Sequence, residues 1–229
     1  MEAAAPRPSY RRLAFWIFFV GLIAAVNYYG RFAGSSHGRT GSSHLSVYSY
    51  STFAGGMVIY AVWLGIVLLI AVDRFDLLAL RRPHDWGRAL GLAVGVIVAI
   101  FVVEGIVSKL PLPQSPGREQ GITTVHWEPA HAGAFAANVV LFALVAPVVE
   151  ELTFRGVGQS LLRFLGSTPS ILIVGVAFGV AHGLVEALLV LVPFGIALAW
   201  LRNRTDSVLP GMLVHALFNG AALAAAVLS

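Results

Sequence analysis

The chain has no cysteine. That excludes a disulfide framework, a thiolate nucleophile and any Cys-ligated metal. Charge is also scarce. Only 11% of the 229 residues are Asp, Glu, Lys or Arg, where a soluble domain carries about 25%. The short alternating segments of a membrane barrel are missing as well. What the chain has instead is 58% hydrophobic residues in long, continuous runs, with a mean hydropathy of +0.82. These features predict an all-α, polytopic helical membrane bundle. The net charge of +4 and pI near 9.9 would suggest nucleic acid as the partner of a soluble protein. In a membrane protein, basic residues mark cytoplasmic loops, so no nucleic-acid partner is expected.

About seven transmembrane helices are predicted. A basic tail, 1–12, precedes an uncleaved first helix at 13–29. A Gly/Ser/His loop with His37 and His44 follows at 31–51 and reads as a solvated linker, not a metal site. A second helix covers 52–72, a charged loop 73–88, and a third helix 89–107 with Glu104 near its end. The loop 108–131 holds Pro111, Pro113, Pro116 and Pro129, and Trp127 fits a headgroup-level anchor. A fourth helix runs from Ala132 to about Leu165. Pro147 is expected to kink it, and Arg155, Gln159, Ser160 and Arg163 are expected to face polar surroundings. After a turn at Gly166, the pieces 170–182 and 184–201 share 32 residues, about 48 Å of helix. Two crossings of a ~30 Å core need about 60 Å, so the fifth helix should stop short near His182 and Gly183. A basic loop is expected at 202–207 and a last helix at 208–228. With the N-terminus cytoplasmic, the outer loops hold only Arg31, Arg39, Lys109 and Arg118 of the 15 basic residues. That bias favours this orientation. The chain divides into an N-terminal three-helix region, 1–131, and a core, 132–229.

Polar groups stand out against this background. Glu150 and Glu151 follow a nearly uncharged run, and a charge inside a span costs about 2.5–3.5 kcal/mol on insertion scales. Partners are therefore expected, and His182, His215 and Asn219 lie on apolar stretches downstream. Glu150 is 16 residues before Gly166 and His182 is 16 after it, so a helical hairpin bent there sets them at one depth. Glu151 and Arg155 are spaced i,i+4 in the favourable order, which suggests an orienting ion pair. Glu150 then faces the interior, and because desolvation and a like charge make a carboxylate more basic, it suits a general base. Phe178 and His182 share a face, as do His215 and Asn219. A Glu/His pair can activate water while a His/Asn pair stabilises an oxyanion. The same residues could equally form a polar network that holds helices together.

Three motifs in order, Glu150-Glu151-x-x-Phe154-Arg155, Phe178-x-x-x-His182 and His215-x-x-x-Asn219, resemble the signature of the CAAX-protease and bacteriocin-processing (CPBP) family of intramembrane proteases. The resemblance covers roughly 132–222. It implies hydrolysis of a peptide bond near the cytoplasmic membrane face, with Glu150 as base and His182 as its water-holding partner. His215 and Asn219 would form the oxyanion hole, while Glu151, Arg155 and Phe178 would position the site or the substrate. The implied partners are a peptide or protein substrate, lipidated or membrane-associated, and membrane lipid. The short, alanine- and arginine-rich composition suggests a bacterial plasma membrane as the location. A glutamate-based, metal-free mechanism is favoured. If zinc were used, Glu150, His182 and His215 would be its ligands, although the HExxH helix of zinc proteases is absent. The competing readings are a transporter using the Glu pair for ions, and a non-catalytic immunity or scaffold protein.

Overall fold

The computed structural model describes residues 9–35, 47–110 and 126–228. His37, His44, Pro111, Pro113 and Pro116 lie outside the described residues. The bundle consists of α1 (Tyr10–Ser35), α2 (Tyr50–Ile70), α3 (Trp86–Val107), α4 (Pro129–Leu161), α5 (Ser167–Ala181), α6 (Leu188–Thr205) and α7 (Leu209–Leu228), with no strand among the described residues. Six of these helices are long and apolar enough to cross a membrane, while α5 has 15 residues. The protein is a multi-pass integral membrane protein with a short fifth helix, as its hydropathy pattern predicts.

Local chemistry sets the helix ends. Ser49 caps α2 by accepting from the Ser51 N–H, and Asp85 caps α3 by accepting from the Arg88 N–H. At the other end of α2, Arg12 Nη1 donates to the carbonyls of Ile70 and Val72, at 2.8 and 2.7 Å. Arg12 thus belongs to α1 rather than to a tail, since the helix begins at Tyr10. Gly166, at φ +90°, makes the bend between α4 and α5, and Gly183, at φ +67°, ends the turn after α5. Both backbone conformations favour glycine.

The winding of α4 departs from the expected single kink. Segments Leu141–Val145 and Leu152–Gly158 are π-helical and flank the α-helical piece Ala146–Glu151. Pro147 has no N–H to donate, and the preceding Ala146 N–H reaches back to the Leu141 carbonyl. Such wide turns re-aim side chains inside a helix.

Of the polar face expected on the second half of α4, Arg163 is exposed and Ser160 half-buried, but the other two residues are not solvated. Arg155 and Gln159 lie inside the bundle, because α6 offers them backbone acceptors. Arg155 Nη2 donates to the Gly195 carbonyl (3.0 Å) and Gln159 Nε2 to the Ala199 carbonyl (2.9 Å). One turn further on, Arg202 Nη2 donates to Ser160 Oγ (2.8 Å). That bond lets α6 run on through Thr205, so Arg202 sits buried in a helix where a loop was expected.

Helices α5 and α6 approach closely through glycines. A Cβ on Gly195 would stand 2.5 Å from the Gly175 carbonyl oxygen, and one on Gly175 would stand 2.6 Å from the Ile196 nitrogen. Gly175 and Gly179 form a small-xxx-small pair on α5, the pattern that lets membrane helices pack backbone to backbone. The first three helices pack onto this core. Trp16 Nε1 donates to the Thr153 carbonyl, Trp63 Nε1 to Thr153 Oγ1, and Asn27 Nδ2 to the Ala181 carbonyl. One continuous apolar cluster includes residues of all seven helices, from Trp16 to Phe218.

Candidate active site

Glu150 and Glu151 are the last residues of the α-helical piece of α4, just before its second π segment. Their side chains diverge. Glu151 is fully buried, whereas Glu150 retains 7% exposure and lines a cavity of about 270 Å³. His182, at the C-terminal end of α5, and His215 and Asn219, on α7, line the same cavity. The hairpin bent at Gly166 does bring Glu150 and His182 together, with His182 Nε2 3.7 Å from Glu150 Oε2. His215 Nε2 lies 3.8 Å from the same oxygen. These separations exceed a direct hydrogen bond and leave one water room to touch the carboxylate and an imidazole together.

Each imidazole is oriented from behind. His182 Nδ1 donates to the Phe178 carbonyl at 2.7 Å, one helical turn earlier. His215 Nδ1 meets Glu151 Oε1 at 3.1 Å, and Arg155 Nη1 donates to that same oxygen at 2.7 Å. A carbonyl and a carboxylate only accept, so both Nδ1 atoms carry their protons and both Nε2 atoms are turned toward Glu150. The expected Glu151–Arg155 pair is present with both side chains fully buried. Its link to His215 was not foreseen. The other Glu151 oxygen, Oε2, has no hydrogen-bond partner among the described residues and lies where a Cβ on Gly211 would come within 2.8 Å of it. Gly211 therefore makes room for the buried carboxylate.

Aromatic rings wall the site. Phe178 packs edge-on against Phe154, tilted on His182 and edge-on against His215. The Arg155 guanidinium sits over the Phe178 ring at 4.2 Å, a cation–π contact. Since Phe178 lines the cavity and Arg155 has no exposure, the ring separates the guanidinium from the cavity. The described lining includes no arginine or lysine. Asn219 Nδ2 donates to the Phe142 carbonyl at 2.9 Å, beside the first π segment.

One lining residue carried no signal in the sequence. Tyr60, on α2, donates its hydroxyl to Glu150 Oε1 at 2.9 Å. A tyrosine on an apolar helix, 90 positions from its partner, belongs to no local motif. The only available hint was its place three residues before Trp63, on the same helix face.

The donor set was tested against a zinc ion on Glu150, His182 and His215. No group of three His, Cys, Asp or Glu among the described residues has the arrangement of a metal cage. The two nitrogens and the carboxylate oxygen that converge here are spaced at 3.7 and 3.8 Å, wider than the roughly 3.3 Å that two ligands at zinc-bond lengths span in a tetrahedron.

Known proteins resemble the part of the chain that carries this geometry. Residues 132–221 match the family model described as type II CAAX prenyl endopeptidase Rce1-like. No curated protein and no solved structure matches the chain.

Proposed function

We propose, from the match of residues 132–221 to the Rce1-like CAAX prenyl endopeptidase family model, that this protein is an intramembrane endopeptidase of that family. It hydrolyses a peptide bond with a water activated by Glu150 and His182. The observation that carries this reading is the convergence of two backed imidazoles on one carboxylate oxygen, inside a cavity that the apolar bundle shields.

The water donates one proton to Glu150 Oε2 and the other to His182 Nε2. Its oxygen then attacks the scissile carbonyl carbon as Glu150 takes the first proton. The carbonyl oxygen becomes an oxyanion, which His215 and Asn219 face. His215 Nδ1 is committed to Glu151, so its Nε2 can donate to the oxyanion only as an imidazolium. Asn219 turns its side-chain amide toward the same cavity. As the C–N bond breaks, Glu150 returns its proton to the leaving amine, giving an acid and an amine with Glu150 ionised again. Phe178 packs on both imidazoles and Phe194 on His215, and these rings keep bulk water out.

The substrate is a peptide segment of a membrane-associated protein, cleaved near the cytoplasmic face with the N-terminus of the chain on that side. The test is comparative membrane proteomics of cells carrying the wild type and Glu150→Ala, followed by assay of the purified proteins. Glu150→Ala and His182→Ala are expected to insert and fold normally while cleavage stops. Turnover by either variant at the wild-type rate overturns the assignment. A chelator is expected to leave turnover unchanged; loss that zinc restores overturns the metal-free mechanism.

A further inference from the structure

We infer that Tyr60 is a positioning residue for the general base, supplied by a helix outside the family-matched segment. The inference rests on the proteolytic reading above, because it assigns Glu150 the role of base.

A carboxylate at the end of a glutamate side chain rotates easily about its last bond, where the torsional wells are broad. For Glu150 to work as a base, one oxygen has to stay turned toward the imidazoles and the water between them. The structure shows how the two oxygens are told apart. Oε1 accepts the Tyr60 hydroxyl at 2.9 Å, while Oε2 is the atom facing His182 Nε2 and His215 Nε2. The phenol thus fixes the carboxylate plane by holding the oxygen that does not react.

Tyr60 is itself held. Its ring stacks on Trp63 with centroids 5.6 Å apart and planes within 14°. Trp63 Nε1 donates to Thr153 Oγ1 at 2.8 Å, and Thr153 Oγ1 donates to the Val149 carbonyl at 2.7 Å. The Tyr60–Trp63 unit of α2 therefore grips α4 at two points, the Glu150 side chain and Thr153 in the first turn of the second π segment. Trp63 in turn packs edge-on against Phe19 of α1. The clamp is anchored in the N-terminal helices, so residues 132–221 alone would contain the base without the group that aims it.

Misplacing a reacting group by about 1 Å can cost 100-fold in rate, and a hydrogen bond to a charged group accounts for roughly 10- to 100-fold. Tyr60→Phe removes only the hydroxyl and keeps the ring on Trp63, so folding is preserved. The experiment uses the full chain in lipid nanodiscs with a mixture-based peptide library, reading cleavage sites by mass spectrometry and then kinetics on the best-cleaved peptide. Tyr60→Phe should lower kcat about 10- to 100-fold, leave KM within about twofold, and keep the cleavage site. In parallel, the infrared carboxylate band assigned to Glu150 by its loss in Glu150→Gln should move in Tyr60→Phe. An unchanged kcat, or a band that does not move, overturns the role given to Tyr60. If the wild type cleaves no peptide, the proteolytic reading fails, and the band alone decides whether Tyr60 orients Glu150.

Discussion

At the scale of single residues, the two adjacent carboxylates do different work because their surroundings differ. Glu150 faces the cavity, while Glu151 is sealed between Arg155 and His215. Glu150→Gln should abolish cleavage. Glu151→Gln should be milder, since an amide oxygen still accepts from His215; equal loss in both would show that this division is wrong. Arg155→Met should act mainly on stability. Removing one partner of a buried ion pair costs about 3–5 kcal/mol, and here the Gly195 carbonyl loses its donor too. A clear drop in the unfolding midpoint in detergent would bear this out. The polar quartet Glu150, His182, His215 and Asn219 was legible in the sequence because charge and imidazole stand out on apolar helices. Tyr60 was not, because a phenol is ordinary there and its partner comes from a distant helix. The coupling of Glu151 to His215 was hidden for the same reason: i,i+4 spacing discloses partners within a helix, not across helices.

At the scale of helices, hydropathy and punctuation read well. The bend at Gly166, the stop near Gly183 and the short α5 all follow from glycines and run lengths. Two features resisted. The π turns of α4 arise from backbone bonds that no side-chain pattern announces, and Pro147 gave only their neighbourhood. The second half of α4 looked amphipathic, yet Arg155 and Gln159 point at α6 carbonyls, because a polar group in a bundle can be satisfied by a neighbouring backbone as well as by water. This makes the α5–α6 contact a critical seam. Gly195→Leu should push the helices apart and pull the Gly195 carbonyl from Arg155. Overpacking of this kind costs about 1–3 kcal/mol or more. Loss of monodisperse protein on size-exclusion chromatography, with Ala at the nearby exposed Leu213 behaving as wild type, is the expected outcome.

At the scale of the whole molecule, α1 and α2 complete the core through Trp16, Asn27, Tyr60 and Trp63, and α3 through Ala93, Val96 and Ile100. No motif in them foretold this, since packing surfaces need shape and not signature residues. Seven helices with a cytoplasmic N-terminus should place the end of α7 outside; a reporter fused there and active only in the cytoplasm should stay silent, and a signal from it would invert the topology. One dimension of the bundle then acquires a mechanical meaning. Helix α5 has 15 residues, about 22 Å of rise, yet it shows Leu172, Ile173 and Val176 on the outside of the bundle, where acyl chains would meet them. A bilayer of ordinary thickness, about 30 Å, must thin beside it at a cost of fractions of a kcal/mol per ångström. Catalytic rate should therefore track acyl-chain length, rising in thinner bilayers and falling in thicker ones, and reconstitution in phosphatidylcholines of graded length would measure how far the membrane itself tunes this protein.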